Sequence, residues 1–450
     1  MLCVIQRSVN AIRIALRPLF RTSLSWAAIT VPLTYETHVP PTGHGALDSP
    51  AVWIAPDPSQ SLLLVTDKTR DWIEIHDPVR NEYLGRVGGS GTTPGKLARP
   101  NSVAVAYAVP TVGGPVDVMF VVERDNHRIS AFYLPYGNFL GSFGNADLSR
   151  PMGIAVHWEG AQLQLWITDI GPHPQSVVVF NIVQTPTGVG GVKQRAIPMP
   201  SGAILESIEI DALYRRALIC DEQANDVMIY SLEGQLLGRF GQGHFTGDSE
   251  GLRIFDAGYG NGYVIVTDQM ASPVEWEVFD RRDYKFLLNF SGVTNTTDGI
   301  ALIQAPLPNF PLGALWASHS DRAVHAYDWR DIAAATGLCA SVSCAAVDAD
   351  QPGADATSVT RPWVQSFTSP MRGAGTLRFR LATPAAVDVG VYDLRGALVA
   401  SLANATQPAG WHELAWDGRG RTGARLPSGI YFVRTRIAGE AFTQKITLLR

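Results

Sequence analysis

After the first 35 residues, apolar and polar positions alternate with a period of two in short runs, separated by turns rich in Gly, Pro, Asn and Asp. That pattern predicts half-buried β-strands, and no long amphipathic helical stripe interrupts it. The runs also recur. Six segments share one plan, in which a short strand with a small anchor residue turns into a second apolar strand with a polar end: "DSPAVWIAPDPSQSLLLVTDK", "RPNSVAVAYAVPTVGGPVDVMFVVER", "RPMGIAVHWEGAQLQLWITDI", "ILESIEIDALYRRALICDE", "DSEGLRIFDAGYGNGYVIVTDQ" and "TTDGIALIQAPLPNFPLGALWASHS". The anchors are Ala51, Ser102, Gly153, Ser207, Gly251 and Gly299, spaced 51, 51, 54, 44 and 48 residues apart. A third strand follows in most copies, such as "WIEIHD", "RISAFYL" or "VEWEVFD", and often a fourth, such as "EYLGRVG", "NFLGSFG" or "QLLGRFG". Four strands at this period are one propeller blade. The predicted fold class is all-β: a six-bladed β-propeller over residues 36–330, followed by a small immunoglobulin-like β-sandwich. The blade count shifts by one if the two termini close a blade jointly.

Three segments stand outside the repeat. Residues 1–35 hold four arginines and no acid, with a mostly apolar run at 24–33, which predicts an export signal or basic leader. Residues 331–361 turn to Ala, Ser, Asp and Gly and predict a linker. Residues 362–450 return to short alternating strands and predict the sandwich. No apolar run is long enough to span a bilayer.

Composition narrows the chemistry. The chain is 46% hydrophobic and 17% charged, with a formal net charge of −5. This excludes a general nucleic-acid binder, which needs a basic face. Of the four cysteines, Cys339 and Cys344 lie close together with no second Cys/His pair nearby, which disfavours zinc. A local disulfide and free thiols both remain open for them.

The topology of a blade predicts where charge gathers. In an antiparallel hairpin, the start of the first strand and the end of the second share one end. In a propeller those ends meet around the mouth of the central channel. The residues before the anchors are Pro50, Asn101, Met152, Glu206, Glu250 and Asp298. The second strands end in Asp67-Lys68, Glu123-Arg124, Asp169-Ile170, Asp221-Glu222, Asp268-Gln269 and His319-Ser320. Acid concentrates on blades four to six, with Asp48 across the ring closure, while Lys68 and Arg124 fall on blades one and two. Converging carboxylates need a cation between them or must hold protons. Oxygen ligands without Cys or clustered His favour calcium. Calcium beside a Lys/Arg pair is a place to hold phosphate, with metal-activated water as the nucleophile. The alternative for the strand-end Asp67, Asp169 and Asp268 is ordinary turn chemistry, to which they are assigned. For Lys68 and Arg124 the alternative is salt-bridging to Asp67 and Glu123.

Three of these stretches carry a family resemblance. "DSPAVWIAPDPSQSLLLVTDK", "DSEGLRIFDAGYGNGYVIVTDQ" and "TTDGIALIQAPLPNFPLGALWAS" resemble the β-propeller phytases in motif, order and spacing. The resemblance implies a calcium-dependent, 3-phytase-like phosphomonoesterase. It implies calcium-site acids at Asp48, Glu206, Asp221 or Glu222, Glu250 and Asp298, of which Glu206, Glu250 and Asp298 would serve catalysis. It implies phosphate-site residues at Lys68, Arg124 and Gln269. Ser49, Met152 and Ile170 depart from the family's Asp, Tyr and Lys. "RPNSVAVAY", "ERDNHRISAFYLPYGNFLGSFG" and "RPMGIAV" resemble NHL repeats, which implies the alternative of a non-catalytic propeller binding a ligand or partner protein. A calcium-dependent lactonase-type hydrolase is a third reading. The C-terminal "VYDLRGALVASL" and "PSGIYFVR" resemble FlgD-like and secretion-sorting domains. They imply a secreted or cell-surface bacterial protein that meets its secretion machinery through this domain, whereas the phytase resemblance implies a small phosphorylated substrate.

Overall fold

The computed structural model describes residues 29–38, 43, 45–171, 175–258, 260–269, 273–340, 363–365, 371–381, 384–407, 410–437 and 440–449. The leader up to residue 28, Cys3, Cys344 and residues 341–361 of the expected linker lie outside them. Among the described residues there are six four-stranded antiparallel sheets, followed by a three-stranded and a five-stranded sheet. The chain is a six-bladed β-propeller followed by an immunoglobulin-like sandwich. Blade one is typical, a meander of Leu47–Trp53, Leu62–Asp67, Trp72–Asp77 and Glu82–Gly88. The first strands of successive blades neighbour one another right around the ring, and the sixth returns to the first.

Period-two alternation explains the ring. Side chains on the two faces of a blade enter different interfaces. Leu64 joins the apolar cluster shared with blade two, whereas Leu63 and Val65 join the cluster shared with blade six. The second strands are therefore apolar on both faces, as "LLLVTD" shows, and each is buried throughout or nearly so. Six such clusters, one per interface, form the propeller core, and a seventh around Phe379, Val389, Val433 and Ile446 forms the sandwich core.

Two boundaries move. Tyr35–Glu36 supplies the fourth strand of blade six by pairing with Ala323–Asp328, so the two ends of the propeller do close one blade jointly, and the count stays six. Just before it, Thr30 bridges Ser291 on blade five, and Val31 is buried at that interface. Residues 29–35, assigned to the leader, thus belong to the propeller. Residues 331–340, assigned to the linker, do too. Trp329–Thr336 is a helix, N-capped by Asp328 and ended by Gly337 at φ 74°, and it packs Trp329 and Ile332 into the interface between blades five and six. Blade three also has a fourth strand, Gly188–Pro198, that lacks the Leu-Gly-x-Phe run of blades two and four. Cys339 is disulfide-bonded, and Cys220 is a buried free thiol.

A candidate metal and anion site at the channel mouth

The six segments are equivalent at the level of single hydrogen bonds. In each blade the residue after the second strand donates its backbone N–H to a carbonyl just before the first. The pairs are Lys68 to Ala46, Arg124 to Arg99, Ile170 to Arg150, Glu222 to Ile204, Gln269 to Asp248 and Ser320 to Asn295, at 2.8–3.1 Å. These pairs make a ring of twelve backbone positions on one face of the propeller.

A bulge then decides which side chains leave the ladder. In the first strand of five blades the register slips at one place: Leu47/Pro50, Pro100/Ser102, Pro151/Ile154, Leu205/Ile208 and Ser249/Leu252. Asp48, Glu206 and Glu250 fall inside these slips. Bulged residues lose their cross-strand partners and are re-aimed. The small anchors let the blades meet there. A Cβ on Gly153 would sit 2.3 Å from the Glu206 carbonyl oxygen, one on Gly251 3.2 Å from that of Asp298, and one on Gly299 3.1 Å from that of Asp48. Each anchor glycine thus abuts an acidic residue of the next blade. Thr168 adds a clamp, accepting from the Gly153 N–H at 2.7 Å and donating to the Glu206 carbonyl at 2.9 Å.

The outcome is one cluster from two neighbouring sheets, blades four and five. A carboxylate oxygen from each of Glu206, Glu222 and Glu250 lies within 4.8 Å of the other two. Glu250 is 7% exposed. Burial, then the neighbouring carboxylates, push Glu206 and Glu250 well above the ordinary range, and both hydrogen-bond to Glu222. Three carboxyl groups at this distance must hold protons or a cation. Beside them, Lys68 Nζ lies 2.8 Å from Asp298 and 3.1 Å from Asp48, and Gln269 donates its side-chain amide to Asp298. Burial raises Asp48 to about 7 against the opposing pull of Lys68. Lys68 itself is held up by the two carboxylates, which outweigh its burial. The set is oxygen-only and acidic, the donor chemistry of calcium.

The residues expected at the mouth divide cleanly. Glu206, Glu222 and Glu250 come together, with Asp48, Asp298, Lys68 and Gln269 interlinked next to them. Asp221 is not brought in. It turns back into its own blade, accepting from the Ile204 N–H at 3.1 Å and from Arg239 at 3.0 Å. Neighbours along a strand point to opposite sides, so only one of Asp221 and Glu222 can face the mouth. Asp67, Asp169 and Asp268 act as assigned, each accepting backbone N–H groups from the loop entering its blade: Gly45 and Ala46, Ser149 and Arg150, Thr246 and Gly247. The salt-bridge alternative for the cations is corrected. Lys68 reaches Asp48 and Asp298 rather than Asp67, and Glu123 is held by Arg128 at 2.6 Å rather than by Arg124. Arg124 is only partly buried. Burial, followed by Arg150 and Arg99, holds its guanidinium below the usual range, and Glu206 pulls the other way. Sequence reasoning passed over Arg99 and Arg150, although both stand in the same Arg-Pro dipeptide before a first strand.

A second group of ligand-type atoms, from Glu36, His319 and His325, lies at blade six. Hydrogen bonding accounts for it. The His319 Nδ1 accepts from the Asn295 N–H at 3.0 Å, so its neutral ring carries the proton on Nε2 and offers no lone pair there.

Comparison with known proteins adds relatives for both parts. The FlgD Ig-like domain family matches residues 366–436. The chain is 22% identical over 321 residues to the 3-phytase of Bacillus subtilis (strain 168), covering 64% of this chain and 78% of that protein. Among solved structures it is similar to PorZ, a surface component of the type-IX secretion system of Porphyromonas gingivalis, at 14% identity and TM-score 0.38. That match covers 90% of this chain and 51% of the other, so the chain spans about half of PorZ. It is also similar to the calcium-binding protein regucalcin of Agrobacterium tumefaciens str. C58, at 12% identity and TM-score 0.44, over 66% of this chain and 94% of the other. The chain thus has a distant 3-phytase relative and matches the FlgD Ig-like domain family over residues 366–436.

Proposed function

We propose that this chain is a secreted or cell-surface bacterial phosphomonoesterase of the 3-phytase type that depends on calcium. The observation that carries the reading is the convergence of Glu206, Glu222 and Glu250 from two neighbouring blades on one point, with Lys68 and Arg124 on the same face. The distant 3-phytase relative supports it. In this reading Glu206, Glu222 and Glu250 hold calcium, and Asp298 and Asp48 complete the acidic surround. Calcium, when bound, would neutralise phosphate oxygens and acidify water for attack on the ester. Lys68 bridges Asp48 and Asp298 and sets an ammonium at the rim. Arg124 offers phosphate a planar donor fork. Gln269 positions Asp298. The FlgD-like domain would present the propeller to secretion machinery, and among the described residues no helix is long and apolar enough to cross a membrane.

The test is phosphate release from phytate with excess calcium, alongside the Glu250→Gln variant. Turnover that needs calcium and is lost in the variant is the expected result. No release from phytate or simpler esters overturns the reading. A non-catalytic ligand-binding propeller would then stand in its place, consistent with the engagement of Lys68 and Gln269 by Asp298.

A further inference from the structure

The strand Glu440–Leu449 lies in the five-stranded sheet of the sandwich and pairs with Gly429–Ile437. Its Ile446 and Leu448 enter the sandwich core, so Lys445, Thr447 and Leu449 point outward. Ile430 faces outward with them, because it pairs with Thr447. Yet Ile430, Thr447 and Leu449 are all buried, and neither Ile430 nor Leu449 belongs to the sandwich core. Further along the same face Arg434 and Arg436 are exposed. One patch of the outward face is therefore covered, and Lys445 stands at its margin.

What meets Lys445 comes from the propeller. Its Nζ lies 2.6 Å from the centre of the Trp158 ring, near the end of the first strand of blade three, Pro151–Glu159. Trp158 is half-buried and packs against the core shared by blades two and three. Asp117 acts on the same lysine from the start of the second strand of blade two, Val116–Glu123. A first strand runs away from the mouth and a second strand returns to it, so Trp158 and Asp117 lie on the face opposite the carboxylate cluster.

The chemistry of this seat is unusual. Lys445 Nζ is shielded from solvent and has no hydrogen-bond partner. An ammonium there leaves three donors unanswered, whereas a neutral amine loses less hydration. The ring face attracts a cation, but that gain is smaller than the cost of stripping a charge of water. Burial accordingly lowers Lys445 to about 6, with Asp117 pulling the other way. Asp117 is itself engaged, accepting from Trp53 Nε1 at 2.8 Å and from the Ala108 N–H at 2.9 Å. His157 and Glu159 flank Trp158 but point to the other side of its strand, where they bond each other at 3.0 Å. On the sandwich sheet, Arg434 and Arg436 share the outward face and remain in solvent.

We propose that Lys445 is a latch between the sandwich and the propeller, which holds while its amine is neutral and opens when the amine takes up a proton. Opening bares Trp158 and the apolar patch of the sandwich and frees one domain from the other. The proposal does not depend on the hydrolase reading. Its direction follows from the proton count. The closed form binds fewer protons than the open form between about pH 6 and the free lysine value of about 10.4, so closing weakens as pH falls through that range.

Small-angle X-ray scattering of the full chain reads the distance between the two domains. Wild type is expected to be closed at pH 8.5 and open at pH 5.5, with the closing constant falling on the order of a hundredfold between them. Lys445→Met fills the same space without a charge and is expected to stay closed at both. Lys445 lies on the outer side of the sandwich sheet, and circular dichroism checks that the variant folds. Equal interdomain distances for wild type at the two pH values overturn the proposal, as does opening of the folded Lys445→Met at pH 5.5.

Discussion

Lys68 and Asp298 are 230 residues apart in sequence, yet the ammonium of one lies 2.8 Å from the carboxylate of the other. The contact joins blade one to blade six, and Asp48 shares the same nitrogen at 3.1 Å. Side-chain exposure at Lys68 is 17%, so the pair is screened from water more than a surface bridge is. Replacing Lys68 by Met leaves two carboxylates facing each other. Urea denaturation of metal-free Lys68→Met at pH 7 is expected to show a loss of about 2 kcal/mol, the cost of removing one partner of a charged hydrogen bond. Calcium is expected to restore more stability to this variant than to the wild type. A loss that calcium does not touch would place Lys68 outside the acidic surround.

The Glu206, Glu222 and Glu250 cluster predicts a calcium-dependent melting temperature. A ligand bound only by the folded state stabilises it by about 2.7 kcal/mol at a hundred times its dissociation constant. Glu250→Gln removes a charge from the centre of the cluster and is expected to shrink the shift at equal calcium. Differential scanning fluorimetry over a calcium series reads this directly. Equal shifts in the two proteins would assign the calcium effect elsewhere.

Gly153 predicts a coupling between fold and site. A methyl group there meets the Glu206 carbonyl oxygen at 2.3 Å, and backbone cannot swing aside as a long side chain can. Gly153→Ala is expected to cost about 1–3 kcal/mol, the range for overpacked sites. It should also weaken calcium binding, because the displaced residue is one of the proposed ligands. Gly160→Ala is a control of a different kind. It has open space but φ +58°, so any cost comes from backbone strain and leaves calcium binding unaltered.

The closure of blade six predicts acid sensitivity. His325 donates from Nε2 to Glu36 at 2.9 Å and accepts at Nδ1 from Thr294, also at 2.9 Å. Its ring stacks on His319 with centroids 4.0 Å apart. Burial lowers the proton affinity of both rings. His325 lowers His319 further, while Glu36 opposes the shift in His325. A histidine held neutral in the fold contributes stability that is full above its unfolded value of about 6.5 and is lost as pH falls through that value toward the folded one. The contribution of these rings to the melting temperature should therefore drop between pH 7 and pH 5, opposed by the raised carboxyls of Asp48, Glu206 and Glu250. His325→Gln keeps an acceptor and a donor but cannot charge, so its drop is expected to be smaller. Parallel curves for the two proteins would show that the pair does not govern the acid limb.

Much of this was legible from the chain itself. Alternation, turn residues and spacing predicted six blades, because each strand must bury one face against each neighbouring blade. Strand order alone brought Glu206, Glu250 and Asp298 to the same rank, because antiparallel hairpins share their ends. The two-residue strand Tyr35–Glu36 was invisible, since its partner lies almost 300 residues away and two residues carry no period. The helix Trp329–Thr336 was too short to show one.

The sequence by itself determined the repeat, the all-β class and the ring positions, because these follow from local alternation and chain order. Only the tertiary structure decided between Asp221 and Glu222 and joined Lys68 to Asp298 across the closure. Those outcomes depend on which way a bulged strand aims each side chain and on contacts between blades. Neither quantity has a signature in nearby residues.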